Sequence, residues 1–272
     1  DHRFMTSDLP IAAILVGGAL FGAGMVLTRG CASRLTILSA TGNLRAVTVL
    51  LVFAISAHAI LKGALAPLRS SLGAITLPMG DAISLASLPG GALFWTGVLA
   101  IAALAVGLRS GNRPSMLLAA ALIGALVPLG WVGTGFILYD DFDPVAMESL
   151  AFTSPWTDTL FWTVAASSIP ANFGLGLIGG TLLGSFVSAA AARRLQWQSF
   201  TSAPETLRYI SGAVMMGIGG VLAGGCTIGA GLSGIPTLSV AALLTLLVIT
   251  LSALTTNILM RPAAVRALSP AE

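Results

Sequence analysis

Residues 27–34, LTRGCASR, close an apolar run with a glycine followed by a cysteine. Residues 222–231, LAGGCTIGAG, do the same much further along the chain. Cys31 and Cys226 are the only cysteines present. Superposing them, 195 positions apart, lays Gly17, Gly22, Gly24 and Gly30 on Gly212, Gly217, Gly219 and Gly225. Both copies read G-x-G-x5-G-C at the C-terminal end of an apolar helix. Each leads through a small-residue loop into a new apolar segment, starting near Leu44 or Thr237. Five coincident positions around the two cysteines predict an internal repeat.

The chain that carries this repeat is a membrane protein. Of its 272 residues 56% are hydrophobic and 8% charged, where a soluble domain has about 25% charged residues. Mean hydropathy is +0.95, and the 32 glycines fit transmembrane helices better than soluble ones. The net charge of +3 is spread between apolar spans, which argues against a nucleic-acid partner. Two cysteines and two histidines at scattered positions make neither a disulfide framework nor a zinc site. No metal and no cofactor are expected.

A spanning helix needs about 20 apolar residues. Seven segments meet that measure, at about 10–28, 44–63, 90–108, 114–138, 170–192, 207–224 and 237–260. The short run 159–169, ended by Pro170, reads as a re-entrant or interfacial piece. Residues 64–89 form a long connection, and 139–158, YDDFDPVAMESLAFTSPWTD, form the main polar loop. The predicted fold is an all-α polytopic membrane protein, one transmembrane domain over 1–272, with repeat halves of approximately 10–138 and 159–260.

Basic residues favour the cytoplasm. Arg29, Arg34, Arg45, Arg109, Arg113, Arg193, Arg194, Arg208, Arg261 and Arg266 fall on one side. Arg3, Lys62 and Arg69 fall on the other. The first side is therefore cytoplasmic, and Asp140, Asp141, Asp143, Glu148 and Asp158 lie outside. Trp95, Trp131, Trp156 and Trp162 are expected near the outer interface and Trp197 near the inner one. The N-terminus comes out outside with no signal-peptide pattern after Asp1, which fits spans upstream of it. Five spans separate the two cysteines, so their loops enter from opposite sides. That makes an inverted repeat, the arrangement that places a transport site where broken helices meet.

Backbone that leaves a helix inside a membrane must be satisfied by protein or line a watery cavity. Gly30 and Gly225 are expected to take positive φ and leave room for a ligand. Turn N–H groups and helix N-termini attract anions, and a thiol adds a weak donor on a polarizable sulfur. The candidate substrate-binding residues are Cys31, Cys226, Gly30, Gly225 and Thr227, with Arg29 and Arg34 at the cytoplasmic mouth. A thiolate would repel an anion, so both thiols are expected to be protonated at rest. Asn43 and Asn257 are candidates for holding loop backbone. His58 reads as a satisfied interior histidine, and Gly176, Gly180 and Gly184 as plain helix packing. With no paired-thiol motif and no histidine pair, oxidoreductase chemistry is disfavoured, and the chain is not expected to be an enzyme.

RGCASR…TGNLRA and GGCTIGAGLSG resemble the paired motifs of the YeeE/YedE family of bacterial sulfur-compound transporters, and FDPVAMESLAFTSPWTD resembles that family's loop between halves. The resemblance covers nearly the whole chain. It implies an hourglass-shaped inner-membrane permease importing thiosulfate or a related sulfur anion. It also implies a cytosolic partner, a small sulfur-carrier protein of the TusA type. Cys31 and Cys226 match the family's motif cysteines. A third cysteine, in an N-terminal segment of characterised members, has no counterpart here. It either precedes Asp1 or is dispensed with. Transport of another sulfur or selenium compound, or a membrane dock for a sulfur carrier, remain the alternative readings.

Overall fold

The computed structural model describes residues 8–80, 83–137, 147–168 and 170–260. Arg3, Asp140, Asp141, Asp143, Arg261 and Arg266 lie outside them. The helices are α1 (Ile11–Leu27), α2 (Ala32–Ala40), α3 (Leu44–Leu61), α4 (Ala66–Gly73), α5 (Gly91–Arg109), α6 (Pro114–Val132), α7 (Thr153–Ala165), α8 (Phe173–Ala191), α9 (Ala203–Leu222) and α10 (Val240–Met260). A π-helical stretch, Ile228–Gly234, and a 3-10 turn, Ile235–Thr237, link α9 to α10. A short antiparallel pair joins β1 (Asp8–Leu9) to β2 (Leu77–Pro78).

Among the described residues six segments are long and apolar enough to cross a membrane, and one is the broken run Ile11–Ala40. The protein is a multi-pass, all-α membrane protein. Its central helix, α9, is not among the six. It is 20 residues long, but it opens with Glu205 and Arg208 and carries four glycines from Gly212 to Gly220. Those glycines lower its hydropathy and fix its packing at once.

The centre of the bundle is the crossing of α1 and α9. A Cβ at Gly24 would lie 2.5 Å from the Gly212 carbonyl oxygen, and one at Gly219 2.6 Å from the Gly17 carbonyl oxygen. Gly17 pairs with Gly219 and Gly24 with Gly212, so the two helices run antiparallel. Exchanging the copies maps each pair onto the other, as a two-fold axis between them requires. Gly22 packs on Ile249, Ser252 and Ala253 of α10, and Gly217 on Phe53, Ser56 and Ala57 of α3. That correspondence runs at 196 positions, one more than at the cysteines. The extra residue falls where α2 is α-helical but its counterpart is π-helical. A π turn closes i→i+5 bonds and so takes up one additional residue.

The breaks lie within the bundle. Gly212 touches Leu27 and Thr28 and stands nine residues into α9, about 13 Å along its axis. From there α2 runs back to the end of the bundle where α9 starts. Gln196 and Gln198 N–H groups donate to the Thr41 and Gly42 carbonyls, and Leu44 N–H donates to Gln198. At the opposite end, Leu85 N–H donates to Leu238 and Val240 N–H to Ile83. The second half-helix is tied there. Asn43 caps α3 through Ala46 N–H, as a loop-holding residue should.

The polar loop departs from expectation. Residues 149–153 and 155–157 are buried, and α7 begins at Thr153, ahead of the apolar run that announced it. At 13 residues, or about 20 Å, it is too short to span. Ser149 Oγ donates to the Val127 carbonyl, Ser233 Oγ to the Leu150 carbonyl, and Trp156 Nε1 to Thr36 Oγ1 at 2.7 Å. These three contacts each reach a distant element, which is what admits such a segment to the interior. Trp156 is thus a core residue and not part of an outer belt. Trp156→Phe keeps an aromatic ring, though a smaller one, and strips Thr36 of its donor. It is expected to cost about 1 kcal/mol, read as a lower melting temperature in detergent with insertion intact.

Gly176, Gly180 and Gly184 pack against nothing among the described residues within 4 Å of where a Cβ would stand. Among the described residues no helix packs on that set, against the plain-packing reading.

Candidate functional site

The two breaks share one local design. Thr28, Arg29, Gly30 and Cys31 have the same turn, turn, bend and irregular pattern as Ala223, Gly224, Gly225 and Cys226. Arg29 N–H donates to Val26 and Gly30 N–H to Met25, as Gly224 N–H donates to Val221. This is the left-handed helix stop, in which one residue takes positive φ and the chain turns out of the helix. The residues at positive φ are Arg29 (58°) and Gly224 (75°), not Gly30 and Gly225 as expected. Both of those are buried. A Cβ at Gly30 would meet only side-chain atoms, the nearest being Arg34 Cδ at 3.4 Å.

Arg29 therefore holds a conformation that disfavours L side chains by about 1 kcal/mol. Arg29→Gly is expected to raise stability by about that amount, measured as a higher melting temperature. An unchanged or lower value would count against the positive φ.

Each cysteine then opens a half-helix. Cys31 is extended (φ −77°, ψ 166°) at the N-cap of α2. It is half-buried, and its Sγ is 3.1 Å from Ser33 Oγ. Cys226 is 1% exposed. Its Sγ accepts from Gly229 N–H at 3.4 Å, and its carbonyl accepts from Ala230 N–H. Both are free thiols. Thr227 follows, half-buried. Because α1 and α9 are antiparallel, the half-helices run outward to opposite ends, with N-termini and cysteines facing inward. First-turn N–H groups have no acceptor within their own helix, and the helix dipole is positive there. The arrangement offers an anion two inward-facing donor sets, each with one soft sulfur.

Arg29 and Arg34 are exposed, away from the buried Cys226. Arg29 lies by an ion pair in which Arg45 Nη1 meets Glu205 Oε1 at 2.7 Å. The Thr201 backbone N–H and hydroxyl, then Arg45 and Arg29, hold the Glu205 carboxyl below its usual range. Stability from this cluster is present at neutral pH and lost as pH falls through that depressed value. His58 stacks on Phe161. Sequence reasoning missed the inward path of 149–157. The sequence reads 159–169 as a re-entrant or interfacial piece but 139–158 as a polar loop, so the turn inward begins earlier than expected.

A polytopic helical bundle with two inward-meeting broken helices is the architecture of a membrane transporter. The chain belongs to the sulphur transport family, whose model matches residues 2–255. Similar proteins include one named thiosulfate transporter TsuA of Spirochaeta thermophila, 29% identical over 251 residues, covering 86% of this chain and 73% of that protein. Another of that name, from Escherichia coli K12, is 37% identical over 116 residues, covering 42% of this chain and 30% of that protein. Family and relatives are transporters, not enzymes.

Proposed function

We propose that this protein imports thiosulfate, or a closely related sulfur anion, across the bacterial inner membrane. The observation that carries the reading is the pair of matched helix breaks, each presenting a cysteine at an inward-facing half-helix N-terminus. The names of the relatives supply the substrate. A thiosulfate ion has three oxygens and a terminal sulfur. Half-helix N–H groups suit the oxygens, and the S–H groups of Cys31 and Cys226 suit the sulfur. Gly30 and Gly225 keep side chains out of the approach, and Thr227 adds a hydroxyl at the second break. Arg29 and Arg34 draw the anion to the cytoplasmic mouth. The repeat halves, about 10–138 and 159–260, meet at the α1–α9 crossing, with one cysteine loop from each. A cytosolic sulfur carrier of the TusA type takes the product at the inner face.

The test is uptake of radiolabelled thiosulfate by cells lacking their own importers, compared with matched Cys31→Ser and Cys226→Ser variants. Import by the wild type with failure of both variants supports the reading. Normal import by both variants reduces the thiols to packing residues. No import of thiosulfate, with import of a selenium or other sulfur anion, moves the substrate assignment.

A further inference from the structure

Four buried side-chain polar atoms lack a partner among the described residues, Trp95 Nε1, Thr153 Oγ1, Thr159 Oγ1 and Arg208 Nε, and of these residues only Thr153 is buried as a whole. The Thr153 hydroxyl has no hydrogen-bond partner among the described residues, although Thr153 is 3% exposed. An unmade hydrogen bond in the interior costs about 1–3 kcal/mol, and three nearby polar side chains avoid it. Ser149, Trp156 and Thr157 each have a partner. A valine of the same shape would remove the cost, so the hydroxyl calls for a reason.

Its position supplies one. A Cβ at Gly220 would stand 3.1 Å from Thr153 Oγ1 and 3.2 Å from Phe21 Cδ2. Thr153 is thus level with Gly220 on α9 and with the middle of α1. Measured along α9, the first break lies at Gly212, about 12 Å one way, and the second begins after Leu222, about 3 Å the other way. The hydroxyl sits between the two cysteine loops. The segment that carries it is pinned to both half-helices, by Trp156 to Thr36 in α2 and by Ser233 to Leu150. Phe152, Trp156, Ala32 and Cys226 belong to one buried cluster with Phe21. Thr153 also starts α7, a 13-residue helix with no side-chain cap. Its first turn opens at the same level with the N–H groups of Thr153 and Ser154, since Pro155 has no N–H and the Trp156 N–H donates to the Phe152 carbonyl.

We propose that the Thr153 hydroxyl and the first turn of α7 are an anion-binding station between Cys31 and Cys226, coordinating an oxygen of the passing sulfur oxyanion. This rests on the transport reading above. The station explains why the fold draws a polar segment through its centre. An anion leaving one cysteine loop meets a fixed donor before it reaches the other.

The test compares Thr153→Val and Thr153→Ser with the wild type and Cys226→Ser in proteoliposomes, with thiosulfate as probe. Uptake rate against concentration and the melting temperature in detergent are both read. Valine deletes a hydroxyl that has no protein partner, so it is expected to melt at or above the wild-type temperature. It is also expected to transport roughly tenfold more slowly, since hydrogen bonds to charged groups are the strong ones. Serine restores the hydroxyl and is expected to recover most of the rate. The proposal is overturned if valine transports like the wild type while Cys226→Ser fails, which leaves the cysteine reading standing. It is also overturned if serine and valine are equally slow, or if valine melts well below the wild type, since the hydroxyl then serves packing or holds a structural water. A wild type that moves neither thiosulfate nor another sulfur or selenium anion overturns both readings.

Discussion

Gly24→Ala is expected to prevent a stable bundle, and Gly219→Ala to do the same. At Gly24 the new methyl would lie 2.5 Å from the Gly212 carbonyl oxygen and 2.7 Å from the Met216 nitrogen. At Gly219 it would lie 2.5 Å from the Phe21 nitrogen and 2.6 Å from the Gly17 carbonyl oxygen. These neighbours are backbone atoms in helices and cannot rotate aside. The axes must separate, and the packing of α3 and α10 beside the crossing loosens with them. Overpacking typically costs about 1–3 kcal/mol and occasionally more. A contact of backbone on backbone at the centre of the fold belongs at the upper end. The control is Gly180→Ala, with nothing within 4 Å of its added methyl. It is expected to be neutral or to stabilise α8 by about 0.5–1 kcal/mol. Melting temperature and monodisperse yield in detergent check all three. Equal tolerance at Gly24 and Gly180 would refute the crossing as drawn.

The same contrast marks what was legible in the sequence. The repeat was visible because a helix that breaks inside a bundle and crosses another closely leaves glycines in a fixed frame around the break. Parity of the spans then gave the antiparallel relation seen in the Gly17–Gly219 and Gly24–Gly212 pairs. Gly176, Gly180 and Gly184 show the same spacing but face open space, because spacing says which glycines share a face and not what lies opposite. The left-handed residue was misplaced by one position. In the second copy Gly224 and Gly225 are adjacent, and only the hydrogen bond to Val221 tells which of them turns. In the first copy an arginine holds the turn against its preference. The inward course of 149–157 was hidden for a different reason. Polar residues enter a core only when distant partners receive them, and Val127, Thr36 and Ser233 are not neighbours in sequence.

Cys226→Ser and Cys31→Ser are expected to lower thiosulfate uptake at least tenfold while leaving the fold as stable as before. The reason lies in what serine does at the start of a helix. Cys226 Sγ is already close to the N–H of Gly229, three residues on, which is the donor a serine N-cap binds by preference. A serine oxygen is smaller and a stronger acceptor than sulfur. It would close on that N–H firmly, steadying the half-helix and withdrawing a donor from the anion. The soft S–H contact to the terminal sulfur is lost at the same time. A normal or raised melting temperature with failed uptake therefore separates a role in the pathway from one in packing. If the anion visits the two loops in turn, the slower step governs flux. The double variant is then expected to be at most about twofold slower than the slower single one, because resistances in series add. A multiplicative loss would instead place both thiols on one bound anion at once. The separation of the breaks along α9, from Gly212 to beyond Leu222, about 15 Å or more, is too long for a single thiosulfate ion to bridge.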